Sequence, residues 1–191
     1  MSRRLRLSTL SNEEESLSEL WEWRELQPAL INAERARLFA ALERGESLAE
    51  PRYFAKTKEE LDSNFAFQST ETDLLSMLGM FACVEASLRV DFVKRITYRR
   101  KDDVSRKFRA ADKARAKQIR LEEDVLDVWQ AQPIAGIYRA VSDFKGALKL
   151  RHWLAQGRYW NAKLGRASGY NALDVFEICN RLLCSVAAYA G

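Results

Sequence analysis

The stretch from residue 70 to residue 98 constrains this chain most. At ~100° per residue, Leu74, Leu78, Phe81, Leu88 and Phe92 fall on one face, so an apolar helix is expected from a cap at Thr70 or Thr72 to about Tyr98. By the same count Glu85 lies in the centre of that face. An unpartnered buried carboxylate costs on the order of several kcal/mol, so either a cation faces Glu85 or Glu85 reaches the rim of the core and is wet.

The rest of the chain repeats the helical period. Ser11-Asn-Glu-Glu-Glu supplies a cap and an acidic first turn, and Leu17, Leu20, Trp21 and Leu26 follow at helical spacing. Pro28 is expected to break or kink that helix. A second piece, roughly residues 29–44, carries Leu30, Ala33, Leu38, Ala41 and Leu42 and stops at Gly45. Residues 45–69 read as a long connection, with a short helix near 56–64 and with Tyr53, Phe54, Phe65 and Phe67 pinning it down. Asp102 or Asp103 can cap a helix after Ser105. Leu121, Val125, Leu126 and Trp129 extend an apolar face to Pro133, and a last helix from about Asn171 carries Leu173, Phe176, Ile178, Leu182, Leu183 and Val186.

With 191 residues, 47% of them hydrophobic, and only three prolines, this pattern predicts an all-α helical bundle with one substantial core. Residues 1–69 are read as an N-terminal helical extension and connection, and residues 70–191 as the bundle proper. No apolar run approaches the ~20 residues of a membrane span, and Met-Ser-Arg-Arg-Leu-Arg lacks a signal-peptide core. A cytoplasmic protein with no membrane partner is expected. Cys83, Cys179 and Cys184 sit in apolar helical patterns without metal-ligand spacing and are expected as buried free thiols.

Charge is unevenly spread. Between Lys94 and Arg120 there are Lys94, Arg95, Arg99, Arg100, Lys101, Arg106, Lys107, Arg109, Lys113, Arg115, Lys117 and Arg120 against Asp102, Asp103 and Asp112. Such an excess reads either as a nucleic-acid surface or as a solvated helix face. Glu122, Glu123, Asp124 and Asp127 then reverse the sign and can pair with the preceding cations.

The functional residues concentrate between Phe144 and Arg166. On a helix capped at Ser142 or Asp143, Phe144, Ala147, Leu148, Leu154 and Ala155 share an arc opposite Lys145, Lys149, His152 and Gln156. Arg151 falls within the apolar arc. It therefore matches Glu85, which can pair with Arg151 across the core or with Arg89 one turn along. Gly157 offers a stop. Beyond it Arg158, Tyr159, Trp160, Lys163 and Arg166 interleave cations and rings, a composition in which either rings stack on bases while cations hold phosphate or Trp160 locks the loop to the core.

The run Arg151-His-Trp-Leu-Ala-Gln156 resembles the RNase motif of the HEPN superfamily, in which an arginine, a polar residue, a few further residues and a histidine close a helix. Arg151 and His152 fit the first two positions, and Gln156 stands where the family has its histidine. The resemblance implies a metal-independent endoribonuclease without a cofactor, working at the composite cleft of a homodimer and leaving a cyclic phosphate. It also implies a toxin or phage-defence role and a cognate antitoxin as protein partner. On that reading Arg151 holds phosphate, His152 brings an imidazole and Tyr159 a hydroxyl, with Glu85 and Arg89 in support. Lys149, Arg158, Trp160, Lys163 and Arg166 contact RNA. Gln156 cannot titrate, so the chain reads as an inactivated nuclease, an engineered variant ahead of a natural degenerate. The alternative is a non-catalytic HEPN-like module binding RNA, a nucleotide or a partner protein.

Overall fold

A computed structural model describes residues 16–48, 50–115, 119–158 and 165–190, and those residues contain helices and connections but no strand. The helices are α1 (Leu17–Glu43), α2 (Lys58–Thr97), α3 (Asp103–Arg115), α4 (Asp127–Gln130), α5 (Ile137–Ala155) and α6 (Ala172–Ala190). A π-helical turn, Leu121–Leu126, leads into α4, and a 3₁₀ turn, Gly165–Gly169, precedes α6. The chain divides into two compact units, Ser18–Ser76 and a larger one built from Met77 onward, so the division falls inside α2.

In the smaller unit α1 continues through Pro28, so the proline does not break the helix. The ring costs the helix one backbone hydrogen bond, and the turns on either side are long enough to bridge the gap. The stop at Gly45 does form. At φ +72° the Gly45 N–H reaches the Leu42 carbonyl at 3.0 Å and the Glu46 N–H reaches that of Ala41 at 3.0 Å, the paired bonds of a left-handed helix end.

α2 begins much earlier than Thr70. Thr57 and Glu60 form a reciprocal cap, the Glu60 N–H donating to Thr57 Oγ1 at 3.2 Å and the Thr57 N–H to Glu60 Oε2 at 2.8 Å. Thr70 instead donates its hydroxyl to the Ala66 carbonyl from mid-helix. The expected connection thus shrinks, and it is held by a small core of Leu38, Leu48, Tyr53, Leu61 and Phe65. Tyr53 meets Phe65 at 6.2 Å between ring centroids, whereas Phe54 and Phe67 are exposed and pin nothing.

In the larger unit, aromatic rings link the helices. Phe81 of α2 meets Phe144 of α5 at 6.0 Å, Phe92 meets Phe108 of α3 at 4.8 Å, Phe108 meets Trp129 of α4 at 6.3 Å, and Trp129 meets Tyr189 of α6 at 5.4 Å. Each fully buried large side chain contributes roughly 1.5–3 kcal/mol. Caps fix the boundaries. Asp102 accepts from the Ser105 N–H at 2.8 Å and hydroxyl at 2.6 Å to start α3, and Asn171 and Asp174 cap α6 reciprocally at 3.0 and 2.9 Å.

α5 starts at Gly136, a left-handed residue at φ +80°, and not at Ser142 or Asp143. Ser142 accepts from Gln130 Nε2 at 3.1 Å, and Asp143 pairs with Arg181 at 3.0 Å. In α6, Leu173 is exposed. Cys83 and Cys179 are buried free thiols, but Cys184 is exposed, since its position lies off the buried Val175, Cys179, Leu182 and Val186.

The buried face of α2 is turned away from the one read in the sequence. Met77, Met80, Phe81, Val84, Leu88 and Phe92 are buried, while Leu74 and Leu78 are only partly covered. This shift moves Glu85 to the rim and puts Arg95, 1% exposed, in the middle. Arg95 is no part of a surface. Its Nε donates to both Asp91 oxygens at 2.8 Å, Nη1 donates to Asp102 at 3.2 Å, and its guanidinium lies 4.9 Å from the Trp129 ring and 5.5 Å from that of Tyr189. No helix among the described residues is long and apolar enough to cross a membrane.

Candidate functional site

The last turns of α5 decide where Arg151 goes. Up to Leu148 the buried positions follow Phe144, but Leu150 and Leu154 are the buried residues of the end of the helix. That rotation of the buried arc brings Arg151 and Ala155 to the margin, and Ala155 is exposed. Arg151 Nη2 donates to Glu85 Oε2 at 2.9 Å. The other carboxylate oxygen, Oε1, accepts from Arg89 Nε at 3.1 Å and Nη2 at 2.9 Å. Glu85 therefore serves both arginines named as its partners, one on each oxygen. With side chains 22% (Glu85), 30% (Arg151) and 34% (Arg89) exposed, the triad is wet at one edge and not sealed in a core.

It forms one wall of a cleft of about 450 Å³ whose lining includes His152, Arg120, Glu122, Glu123, Asp127 and Lys145. The opposite wall comes from the π-helical turn. Asp124 holds it by accepting from the Arg120 N–H at 2.8 Å, and Arg120 pairs with Glu123 at 3.2 Å. Lys145 bonds Asp127 and, at 3.1 Å, Gln130. Arg89 also reaches the Ile119 carbonyl at 3.4 Å, tying the triad to the segment leading into that turn. π-helical turns gather at functional sites because the extra residue re-aims side chains. The acidic run here thus shapes the cleft, a task that its sign alone did not reveal.

His152 is exposed on the cleft wall directly after Arg151. Gln156 is exposed too and ends α5, its N–H bonding the His152 carbonyl at 3.1 Å; it does not line the cleft. Gly157, at φ +78°, makes the stop read from the sequence, with the Gly157 N–H on the Leu154 carbonyl at 3.2 Å and the Arg158 N–H on that of Trp153 at 3.1 Å. Lys149 lines a different hollow, with Asp143, Gly165 and Tyr170, so it is not brought to Arg151. Arg158 is half-buried with a left-handed backbone at φ +59°. Tyr159, Trp160 and Lys163 lie outside the described residues, as does the side chain of Arg166.

Chemically, the cleft offers guanidinium groups held by carboxylates, Arg151 and Arg89 by Glu85 and Arg120 by Glu123, one exposed imidazole and a balanced set of surrounding charges. A guanidinium so held presents its remaining N–H donors in a planar fork suited to a phosphate or carboxylate. An imidazole is the side chain whose ordinary pKa suits proton transfer near neutrality. Among the described residues no cluster of histidine, cysteine and carboxylate side chains could hold a metal ion. In comparison with known proteins, the chain matches no family model, no curated sequence and no solved structure.

Proposed function

We propose that this chain is an RNA-binding protein with the layout of a HEPN-type, metal-independent endoribonuclease, impaired by glutamine at position 156. The observation that carries the reading is the placement of Arg151, oriented by Glu85, beside His152 on the wall of one cleft. Metal-free RNA cleavage needs a ribose 2′-hydroxyl to attack the adjacent phosphorus while the bond to the 5′-oxygen breaks. Arg151 would offset the charge that grows on the phosphoryl oxygens, with a base taking the 2′-hydroxyl proton and an acid giving one to the leaving 5′-oxygen. Gln156 can donate and accept hydrogen bonds but cannot exchange a proton at neutral pH, and loss of an acid-base group costs about 10² to 10⁴ in rate. Two copies meeting at the ends of α5 would supply a composite site, as the family resemblance implies, and a toxin or phage-defence role with an antitoxin partner would follow from the same resemblance.

The test is Gln156→His, assayed for RNA cleavage with metal chelated and for growth arrest on expression. Cleavage leaving 2′,3′-cyclic phosphate ends, and abolished by Arg151→Ala, is the expected result. A second reading, a non-catalytic binding module, is favoured by the carboxylates Glu122, Glu123 and Asp127 in the cleft, which oppose a second phosphate. If Gln156→His stays folded and neither cuts RNA nor slows growth, the module reading replaces the nuclease. Sedimentation of the protein as a strict monomer at high concentration would remove the composite site.

A further inference from the structure

The excess of positive charge between Lys94 and Arg120 is largely absorbed by the fold. Arg95 is buried, Arg106 and Lys107 pair with Asp103, Arg120 pairs with Glu123, and Arg109 donates to the Arg100 carbonyl at 2.7 Å. Asp102, which could have neutralised its neighbours, is engaged by Ser105 and Arg95. Apart from Lys113, exposed on α3, and Arg115 and Lys117, whose side chains lie outside the described residues, what remains lies at the turn from α2 to α3. Lys94, Arg99 and Lys101 are exposed and have no carboxylate partner among the described residues, and Arg100 is exposed beside them. In their midst Tyr98, one helical turn after Lys94, is 63% exposed.

The turn is also held in place. Arg99 keeps a left-handed backbone at φ +50°. Arg109 anchors the Arg100 carbonyl from α3, and Arg95 anchors Asp102 from α2. An exposed ring with exposed cations on its neighbours along a held backbone suits an unstacked base on a charged strand, since every base has a face to stack and every linkage a phosphate. A protein partner would call for a larger apolar centre than one tyrosine.

We propose that the α2–α3 turn binds single-stranded nucleic acid, with Lys94, Arg99 and Lys101 on backbone phosphates and one base stacked on Tyr98. This surface lies apart from the lining of the Arg151 cleft and needs no nuclease chemistry.

The test uses the full chain and fluorescein-labelled oligouridine, the matching DNA oligomer and an RNA duplex, with anisotropy followed across a salt series. In the variant Lys94→Gln/Arg99→Asn/Lys101→Gln, asparagine tolerates the left-handed turn. The slope of log affinity against log salt should fall by about 2, at roughly 0.7 per phosphate on a single strand, and affinity at low salt by roughly 10- to 100-fold. Tyr98→Ala should weaken binding about 5- to 100-fold with the slope unchanged, while Tyr98→Phe retains it. A preference for the RNA or the DNA oligomer identifies the natural strand. The proposal is overturned if neither oligomer binds, if the triple variant keeps the wild-type slope, if Tyr98→Ala binds like wild type, or if the duplex binds as tightly with the same sensitivity to Tyr98. Circular dichroism checks folding, and should the triple variant not fold, Lys101→Glu alone must weaken binding or the proposal fails. In parallel, Arg151→Ala separates the two sites. If it alone abolishes binding, the cleft reading survives and the turn proposal does not.

Discussion

Arg95→Ala tests the energetic centre of the larger unit. The replacement removes two bonds of 2.8 Å to Asp91, one of 3.2 Å to Asp102 and the contacts with the Trp129 and Tyr189 rings. An exposed ion pair would be worth about 0–1 kcal/mol, but Arg95 is 1% exposed and its loss leaves Asp91 half-buried without its cation. Breaking one side of a buried pair costs about 3–5 kcal/mol, a large share of the roughly 5–15 kcal/mol of a whole domain. Burial lifts the Asp91 carboxyl above its ordinary value of 3.8, against the lowering by the charge and hydrogen bonds of Arg95. The native state therefore holds that proton more tightly than the unfolded chain, and stability from this group falls as pH rises from the ordinary value to the folded one. Without Arg95 the folded value climbs further and the fall extends to higher pH. The variant must then be less destabilised at pH about 4.5 than at neutrality. Urea unfolding of wild type, Arg95→Ala and Arg95→Ala/Asp91→Asn, followed by far-ultraviolet circular dichroism at both pH values, measures this. A loss under about 1 kcal/mol at neutral pH, or no recovery on adding Asp91→Asn, would refute the buried-pair account.

The cysteines give a quick check on packing: in native protein a maleimide should label Cys184 rapidly and leave Cys83 and Cys179 untouched until urea opens the fold, the Cys179 thiol being further held protonated by burial. Rapid labelling of more than one thiol in the folded state would contradict the burial of the other two. Pro28→Ala restores a backbone donor inside α1 and should stabilise the Ser18–Ser76 unit by up to about 3 kcal/mol; a lower thermal midpoint would show that the helix needs the proline. Gly157→Ala forces a β-carbon onto φ +78° and should cost about 1–2 kcal/mol, read as an earlier urea midpoint.

Helix ends were legible where a local rule decides them. Gly45 and Gly157 end helices because a left-handed residue lets the last carbonyls be satisfied, and Asp102 and Asn171 begin them because a short polar side chain reaches the next turn. The failures came where the chain could continue as well as stop. Pro28 offers one missing donor against twenty-seven residues of helix, and Thr70 offers a cap to a helix already nucleated at Thr57. In both cases cooperativity overrides a single breaker, because an added residue costs little once the first turn exists.

The pairing of Glu85 with Arg151 was legible for a related reason: two charges on apolar arcs must answer each other wherever the arcs meet. Their depth was not, because the arc of α2 drawn through Leu74 and Leu78 missed the methionines Met77 and Met80, flexible side chains that take up core positions. Correcting the arc exchanges two roles. Glu85 leaves the core for a cleft, where it holds Arg151. Arg95 leaves the supposed nucleic-acid face for the core, where it fixes the turn that carries Tyr98. The buried cation thereby bonds the segment that carries the exposed ones. A partial loss of order at Arg95 should consequently lower nucleic-acid affinity at the turn while sparing the Glu85–Arg151 pair. Arg95→Lys supplies that perturbation: it keeps the charge but gives up the planar fork that spans Asp91 and Asp102. Equal oligomer affinity in Arg95→Lys and wild type would uncouple the buried cation from the surface above it.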